Sequence, residues 1–198
     1  SLERARLFEE TEIARSQTEA LFTGSENVVR STSMDGILAA LVQATALKDL
    51  DRATLFFFNR VWQDTAPEST IVVATWQNKN QKQLVPVGTT YSHDTYPLFQ
   101  FLRKDAPSII EDFTTFPHLD ENSRRLFVEG LGLRTAITVP LVVGDQWLGF
   151  VMGLSSTVHH INESELRQIT SLTSQAATVA QSQRLYQEAD SRAEREQI

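Results

Sequence analysis

The spacing of apolar and polar positions changes period several times along the chain. Residues 2–22 contain neither Gly nor Pro and are rich in Glu, Ala, Arg and Leu, so they predict a first helix. Leu7, Ala14 and Leu21 recur every seven positions and mark a narrow seam, and Gly24 is expected to break the helix. Ser33 stands as an N-cap for a second helix, on which Ile37, Leu38, Leu41, Val42 and Leu47 repeat at helical intervals until Asp51. The period then falls to two. ATLFFFN (53–59) and STIVVATW (69–76) read as antiparallel neighbouring strands, joined by a polar stretch containing Pro67. Residues 77–85 form a polar loop.

The middle of the chain is less regular. It predicts a short helix near 96–104, a strand SIIED (108–112), a loop DFTTFPHLD and a helix near 121–130. Irregular connections of this length in a compact domain often line a binding site or form a lid. Regularity returns with the strand RTAITVPLVV (134–143), the turn Gly144-Asp145 and the strand QWLGFVMGL (146–154). Strict alternation puts Leu148, Phe150, Met152 and Leu154 on one face, and Trp147, Gly149, Val151 and Gly153 on the other. The two glycines on that second face admit something packed close to the sheet, such as a helix. From Asn162 or Glu163 a helix runs to the chain end. Ile169, Ala176, Gln183 and Asp190 with Leu172, Val179, Tyr186 and Ala193 give it an a/d heptad pattern. Its apolar first half is expected to pack on the sheet and on a second copy of itself. Its polar end, SRAEREQI, is expected to meet a partner helix or lead into a further domain.

Helix–strand–strand–irregular segment–strand–hairpin–helix is an α+β order built on one antiparallel sheet. At LRTAITVPLVVGDQWLGFVMGL (133–154) the pattern also becomes a specific sequence. With its Arg134-Thr135 start, its Val139-Pro140-Leu141, its tight turn and its Leu148-Gly149, this run resembles the signature of GAF domains. NESELRQITSLTSQAATVAQSQRLYQEA is similar to the family's closing helix, SMDGILAALVQ to its opening helix, and APSIIEDF to the strand leading into its ligand region. The resemblance covers roughly residues 31–187. It implies a GAF-like central antiparallel sheet of five to six strands flanked by helices, with long N- and C-terminal helices. It also implies small-molecule binding and pairing through the terminal helices. The expected organisation is an N-terminal signalling helix and linker (1–30), a GAF core (31–162), and a C-terminal helix (163–198) that closes the core and continues as a coiled-coil linker.

Composition narrows the function. With 25 acidic against 18 basic residues the net charge is -7, which opposes attraction to phosphate backbones, so no nucleic-acid partner is expected. No run approaches the ~18 apolar residues of a membrane span, and the charged N-terminus lacks the apolar centre of a signal peptide. A cytoplasmic module without direct membrane contact is therefore expected. The absence of cysteine removes disulfides, thiolate chemistry, cysteine-bound metals and any thioether-linked bilin. It equally removes the methionine sulfoxide reductase activity of some GAF-like proteins. No Gly-rich phosphate loop, Gly-x-Ser-x-Gly elbow or kinase signature occurs, so no enzyme activity is expected. Asn78-Lys79 with Phe116 and Asp120-Glu121 imitates the motif associated with cyclic-nucleotide GAF domains, but at the wrong place. After the last strand, where the family carries it, this chain has Ser155-Ser156, Ile161 and Ser164-Glu165.

The candidate ligand residues come from the irregular segment and its surroundings. Trp76, Tyr91, Phe99, Phe116 and Phe127 are candidates to surround an apolar pocket, two of the five touching a ligand. Asp112 is placed to accept a ligand hydrogen bond, although capping the next turn is the preferred reading. Arg134 suits an anionic group or, preferably, a salt bridge to Glu111, Asp112 or Asp120. His118 occupies the region where related photoreceptors place cysteine and histidine. The four histidines (His93, His118, His159 and His160) read as loop or surface residues, with heme bound through His118 or His93 as the sharper alternative. The expectation is a sensory module of a multidomain signal-transduction protein, a homodimer that binds an unidentified small molecule. The alternatives are a ligand-free dimerisation spacer and a noncovalent tetrapyrrole or cyclic-nucleotide site. A cavity of ~300 Å³ or more favours sensing; a closed aromatic core favours the spacer.

Overall fold

A computed structural model describes residues 1–78 and 85–197; most of the predicted polar loop, including Lys79, lies outside the described residues, as does Ile198. The chain opens with helix α1 (Leu2–Arg30) and helix α2 (Met34–Gln43), followed by a 3₁₀ turn, Ala46–Asp49. Strands β1 (Arg52–Trp62), β2 (Ser69–Gln77) and β3 (Thr90–Ser92) come next, then a 3₁₀ turn (Pro97–Phe101) and strand β4 (Ser108–Ile110). A single turn of helix, α3 (Glu121–Ser123), widens into a π-helix over Arg124–Gly130. The hairpin β5 (Thr135–Val143) and β6 (Gln146–Ser155) precedes the long helix α4 (Glu163–Glu196).

Six strands form one antiparallel sheet in the order β3-β2-β1-β6-β5-β4. The hairpin therefore lies inside the sheet rather than at an edge. Gly144 takes φ +61 in its turn, a conformation for which a side chain is strained. Helices α2 and α4 cover one face of the sheet, with α1 packed on both of them, and Leu41, Leu47, Leu55, Ile137, Val139 and Ile169 are buried together there. The segment between β3 and β5 covers the other face, over Phe56, Phe58, Phe150 and Met152. Caps fix the helix starts: Ser33 accepts from the Gly36 N–H, and Asn162 forms a capping box with Glu165.

Gly24 does not end α1. The helix continues to Arg30, and the glycine is instead the point where it touches its neighbours. A Cβ there would stand 2.3 Å from Ala44 Cβ and 3.2 Å from Leu172 Cδ2. Strand alternation also fails at two bulges. β2 carries one extra residue opposite β1 between Leu55 and Phe56, so Val72 faces the irregular segment while Ala74 faces the helices. β6 carries another opposite Leu141/Val142, which places Leu148 on the helix face and Trp147 on the other, the reverse of strict alternation. Beyond the bulge, Phe150, Met152 and Leu154 follow the expected pattern. Gly153 lies directly under Leu47 of the first 3₁₀ turn and Leu50 just after it, and Gly149 under the Phe56 carbonyl, so neither glycine meets a long helix.

Candidate ligand-binding site

The segment over the second sheet face is pinned at its base by backbone and charge. The Phe113 N–H donates to the Arg134 carbonyl at 2.7 Å, and the Arg134 N–H to the Ser155 carbonyl at 2.8 Å. Arg134 Nε and Nη2 clasp the two Asp112 oxygens at 2.8 and 2.5 Å, a two-point fit of guanidinium on carboxylate. Asp112 also accepts from the Thr114 N–H and hydroxyl. Hydrogen bonds from Arg134 and then Thr114 hold its carboxyl well below the ordinary range. Both residues are thus engaged with each other, and Asp112 caps the turn that follows it. Asp120 caps α3 through Ser123, and Asn122 Nδ2 donates to the Thr95 carbonyl. These bonds tie the segment's two halves together.

Above this base a cavity of about 330 Å³ opens between β4, β5 and the irregular segment. Ala136 and Thr138 of β5 and Met152 of β6 form its floor, with Ile109 and Ile110 at one side. Phe99, Phe113 and Phe116 wall it, and Phe101, 48% exposed, stands at its mouth. The ring of Phe101 stacks on His118 at 5.8 Å and meets Phe116 edge-on at 6.2 Å.

Of the residues singled out from sequence, Phe99 and Phe116 line this cavity. His118 belongs to the aromatic group at its mouth. Tyr91 stands behind Phe99 with ring centres 6.0 Å apart, and burial raises its phenol above the usual value. Phe127 supports the wall from behind, stacked on Phe113 at 5.4 Å. Arg134 and Asp112 hold the base. Trp76 is a correction: the bulge in β2 turns it to the opposite sheet face, against the helix-side core. His93 is a second correction. It is no surface histidine but 4% exposed, stacked on Phe99 at 5.4 Å and edge-on to Phe58 at 6.1 Å. Neither ring nitrogen has a hydrogen-bond partner. Burial pushes its pKa below the usual value, opposed by the nearby Pro67 carbonyl and by Glu68 and Asp94.

Sequence reasoning missed Phe101, Phe113, Ala136, Thr138 and Met152 as lining residues. The signal for three of them was available. Alternation already put Met152 on one face, and Ala136 and Thr138 share that face on the adjoining strand. A larger, more open hollow of about 660 Å³ lies elsewhere, between α2, β2 and α4, lined by Met34, Asp35, Ile71 and Arg184. It is a surface groove away from the irregular segment. Among the described residues no three His, Asp or Glu converge on a metal position, and no helix is long and apolar enough to cross a membrane.

A profile of the GAF domain matches residues 31–179. Similar solved structures include the phycocyanobilin-bound GAF domain of a cyanobacterial phytochrome, 17% identical, TM-score 0.64, aligned over 86% of this chain and 96% of that one. The chromophore-binding domain of a bacteriophytochrome from R. palustris is 10% identical with TM-score 0.65, over 88% of this chain and 63% of that one. A cyanobacteriochrome GAF domain is 19% identical with TM-score 0.56, over 80% of this chain and 95% of that one. At these identities the likeness is one of fold. No curated protein sequence matches the chain.

Proposed function

The chain belongs to the GAF domain family, and from that premise we propose a sensory module that holds a small molecule in the 330 Å³ cavity and relays its presence through the terminal helices. One observation carries this reading. On β5, Ala136 and Thr138 line the cavity, while the intervening Ile137 and Val139 are buried under the helices. One strand thus has the ligand on one side and α4 on the other. The module has no catalytic role in this reading and works inside the cytoplasm of its host.

The relay is assigned to a homodimer. The sequence pattern offered Ile169, Leu172 and Ala176 for a seam, but these are at most 1% exposed because this chain's own core consumes them. The support comes instead from exposed apolar residues on the arms. Phe8, Phe22 and Val29 lie on one heptad position of α1, and Leu185 and Tyr186 project from α4. Light scattering at tens of micromolar is expected to give the dimer mass; a monomer there sinks the relay.

The ligand reading is tested by a thermal-shift screen on the full chain, since a ligand at a hundredfold its Kd adds about 2.7 kcal/mol to stability. Hits are expected to lose their effect when Ala136→Phe fills the floor. A screen in which no compound shifts melting favours the ligand-free spacer. That second reading has its own observation: Phe56, Phe58, Phe99, Phe150, Trp62 and Trp147 already fill much of this sheet face ring against ring. The same filling argues against a tetrapyrrole of the kind carried by the cyanobacterial relative, and with no cysteine here a thioether link has no attachment point.

A further inference from the structure

We infer that the cavity takes a neutral aromatic molecule of one or two fused rings carrying a single hydrogen-bonding group, and rejects phosphate-bearing ligands; this rests on the sensory reading above and names its ligand class. Size sets the first limit. About 330 Å³ is near the small end of the ~300–1,000 Å³ range of ligand sites.

The lining sets the second. Phe99, Phe101, Phe113 and Phe116 present ring faces and edges to the space, and Met152 supplies an adaptable floor. Planar rings gain most from such walls, through offset or edge-on contacts.

The polar groups set the third. Ser108 and Thr138, paired directly across β4 and β5, are the hydroxyls of the lining. Their present bonds are long: Ser108 Oγ donates to the Phe101 carbonyl at 3.4 Å, and Thr138 Oγ1 to the Ser108 carbonyl at 3.5 Å. Bonds of that length are readily exchanged for a better partner, so one ligand hydroxyl or N–H can be satisfied there. An anion fares worse. The cationic residue of the lining, Arg103, has a side chain 58% exposed and 3.4 Å from Asp105. Arg134, below the cavity, is already committed to Asp112. A phosphate drawn inside would be desolvated without a buried counter-charge.

The test uses the full chain, methyl-labelled at Ala, Ile and Met, titrated with 1-naphthol and with 1-naphthyl phosphate, which share one ring system. 1-Naphthol is expected to shift the Ala136, Ile110 and Met152 methyls, with a Kd at least tenfold below that of the phosphate. In the double variant S108A/T138V its Kd is expected to rise about five- to tenfold, the loss of one hydrogen bond. Equal or tighter binding of the phosphate at those methyls overturns the ligand class and leaves the sensory reading standing. So does an unchanged naphthol Kd in the double variant. If neither probe nor a screen of varied small molecules moves those methyls, both readings fail together.

Discussion

Replacing Gly24 by Ala sets two physical effects of opposite sign against each other. In an exposed helix interior the change stabilises by about 1 kcal/mol, since Gly is the poorer helix former. At this position the new Cβ would fall 2.3 Å from Ala44 Cβ, where ordinary contact needs at least 3.4 Å. Ala44 has no rotamer to escape into, so α1 must shift from α2 by about an ångström, and Leu172 Cδ2 at 3.2 Å blocks one direction. Overpacking of this kind costs about 1–3 kcal/mol. The contact is expected to win, and Gly24→Ala to lower stability by a net of up to ~2 kcal/mol in urea melts. The double variant G24A/A44G removes the obstructing methyl and should recover most of that loss, a coupling well above the ~0.5 kcal/mol scatter of independent sites. A Gly24→Ala protein more stable than its parent would show that α1 does not dock at this point.

Three further outcomes follow from the packing and the charges. Leu172→Ala should cost about 2–5 kcal/mol, and removal of 163–198 should abolish cooperative melting, because Leu172, Ile169 and Ala176 are central to the helix-side core. A cooperative melt in the truncated chain would refute this. Buried His93 resists protonation in the folded state while the unfolded chain takes up its proton near pH 6.5. The unfolded state thus binds more protons as pH falls below that value, and stability should drop, by at most about 1.4 kcal/mol per pH unit. His93→Phe should flatten that stretch of the stability profile; an unchanged slope between pH 6.5 and 5.5 would exclude His93 as its source. Asp112 works the same way at lower pH: its depressed carboxyl contributes stability above the ordinary carboxylate range, lost as pH falls through the folded value. Arg134→Met should raise the Asp112 pKa seen by NMR titration; no change would mean that the clasp is not formed in solution.

What the sequence disclosed, and what it hid, follows from how local each signal is. The hairpin around Gly144, the caps Ser33 and Asn162 and most of the periodic cores of α2 and α4 depend on neighbours within a few residues, and the structure has them where the pattern puts them, except that α2 stops at Gln43 and Leu47 falls in the 3₁₀ turn that follows. Gly24 was misread because propensity speaks for an isolated helix, whereas this glycine answers to Ala44 and Leu172 far along the chain. The bulges in β2 and β6 leave no mark on composition, yet each reverses the facing of every residue beyond it relative to those before it. That is why Trp76 left the candidate site and why Trp147 and Leu148 exchanged faces. His93 belongs to the same class: Phe99 is a near neighbour in the chain, but the burial is completed by Phe58 and Trp62 of β1, which no local window around position 93 contains.

The two arms are not independent outlets for a change in the cavity. Gly24 meets Leu172, Ser25 bonds to Gln175 and Gln183 donates to the Ser31 carbonyl, a sequence of contacts that advances along both helices together. α1 and α4 therefore run the same way, and in the proposed relay a displacement of α4 by β5 would carry α1 with it through the close contact at Gly24. A ligand exploits this only in proportion to its preference for one arrangement over the other. Moving the arms from a 1:9 to a 9:1 balance takes a ratio of about eighty, or ~2.6 kcal/mol of differential affinity. In the proposed reading, a small aromatic ligand would gain that difference by fitting beside Ala136 and Thr138 in one arrangement of the strand and clashing in the other. In that reading, a ligand held only by the exposed mouth at Phe101 and His118 would bind both arrangements alike and shift nothing. On this proposal the floor on β5, rather than the aromatic mouth, is where sensing and signalling would meet.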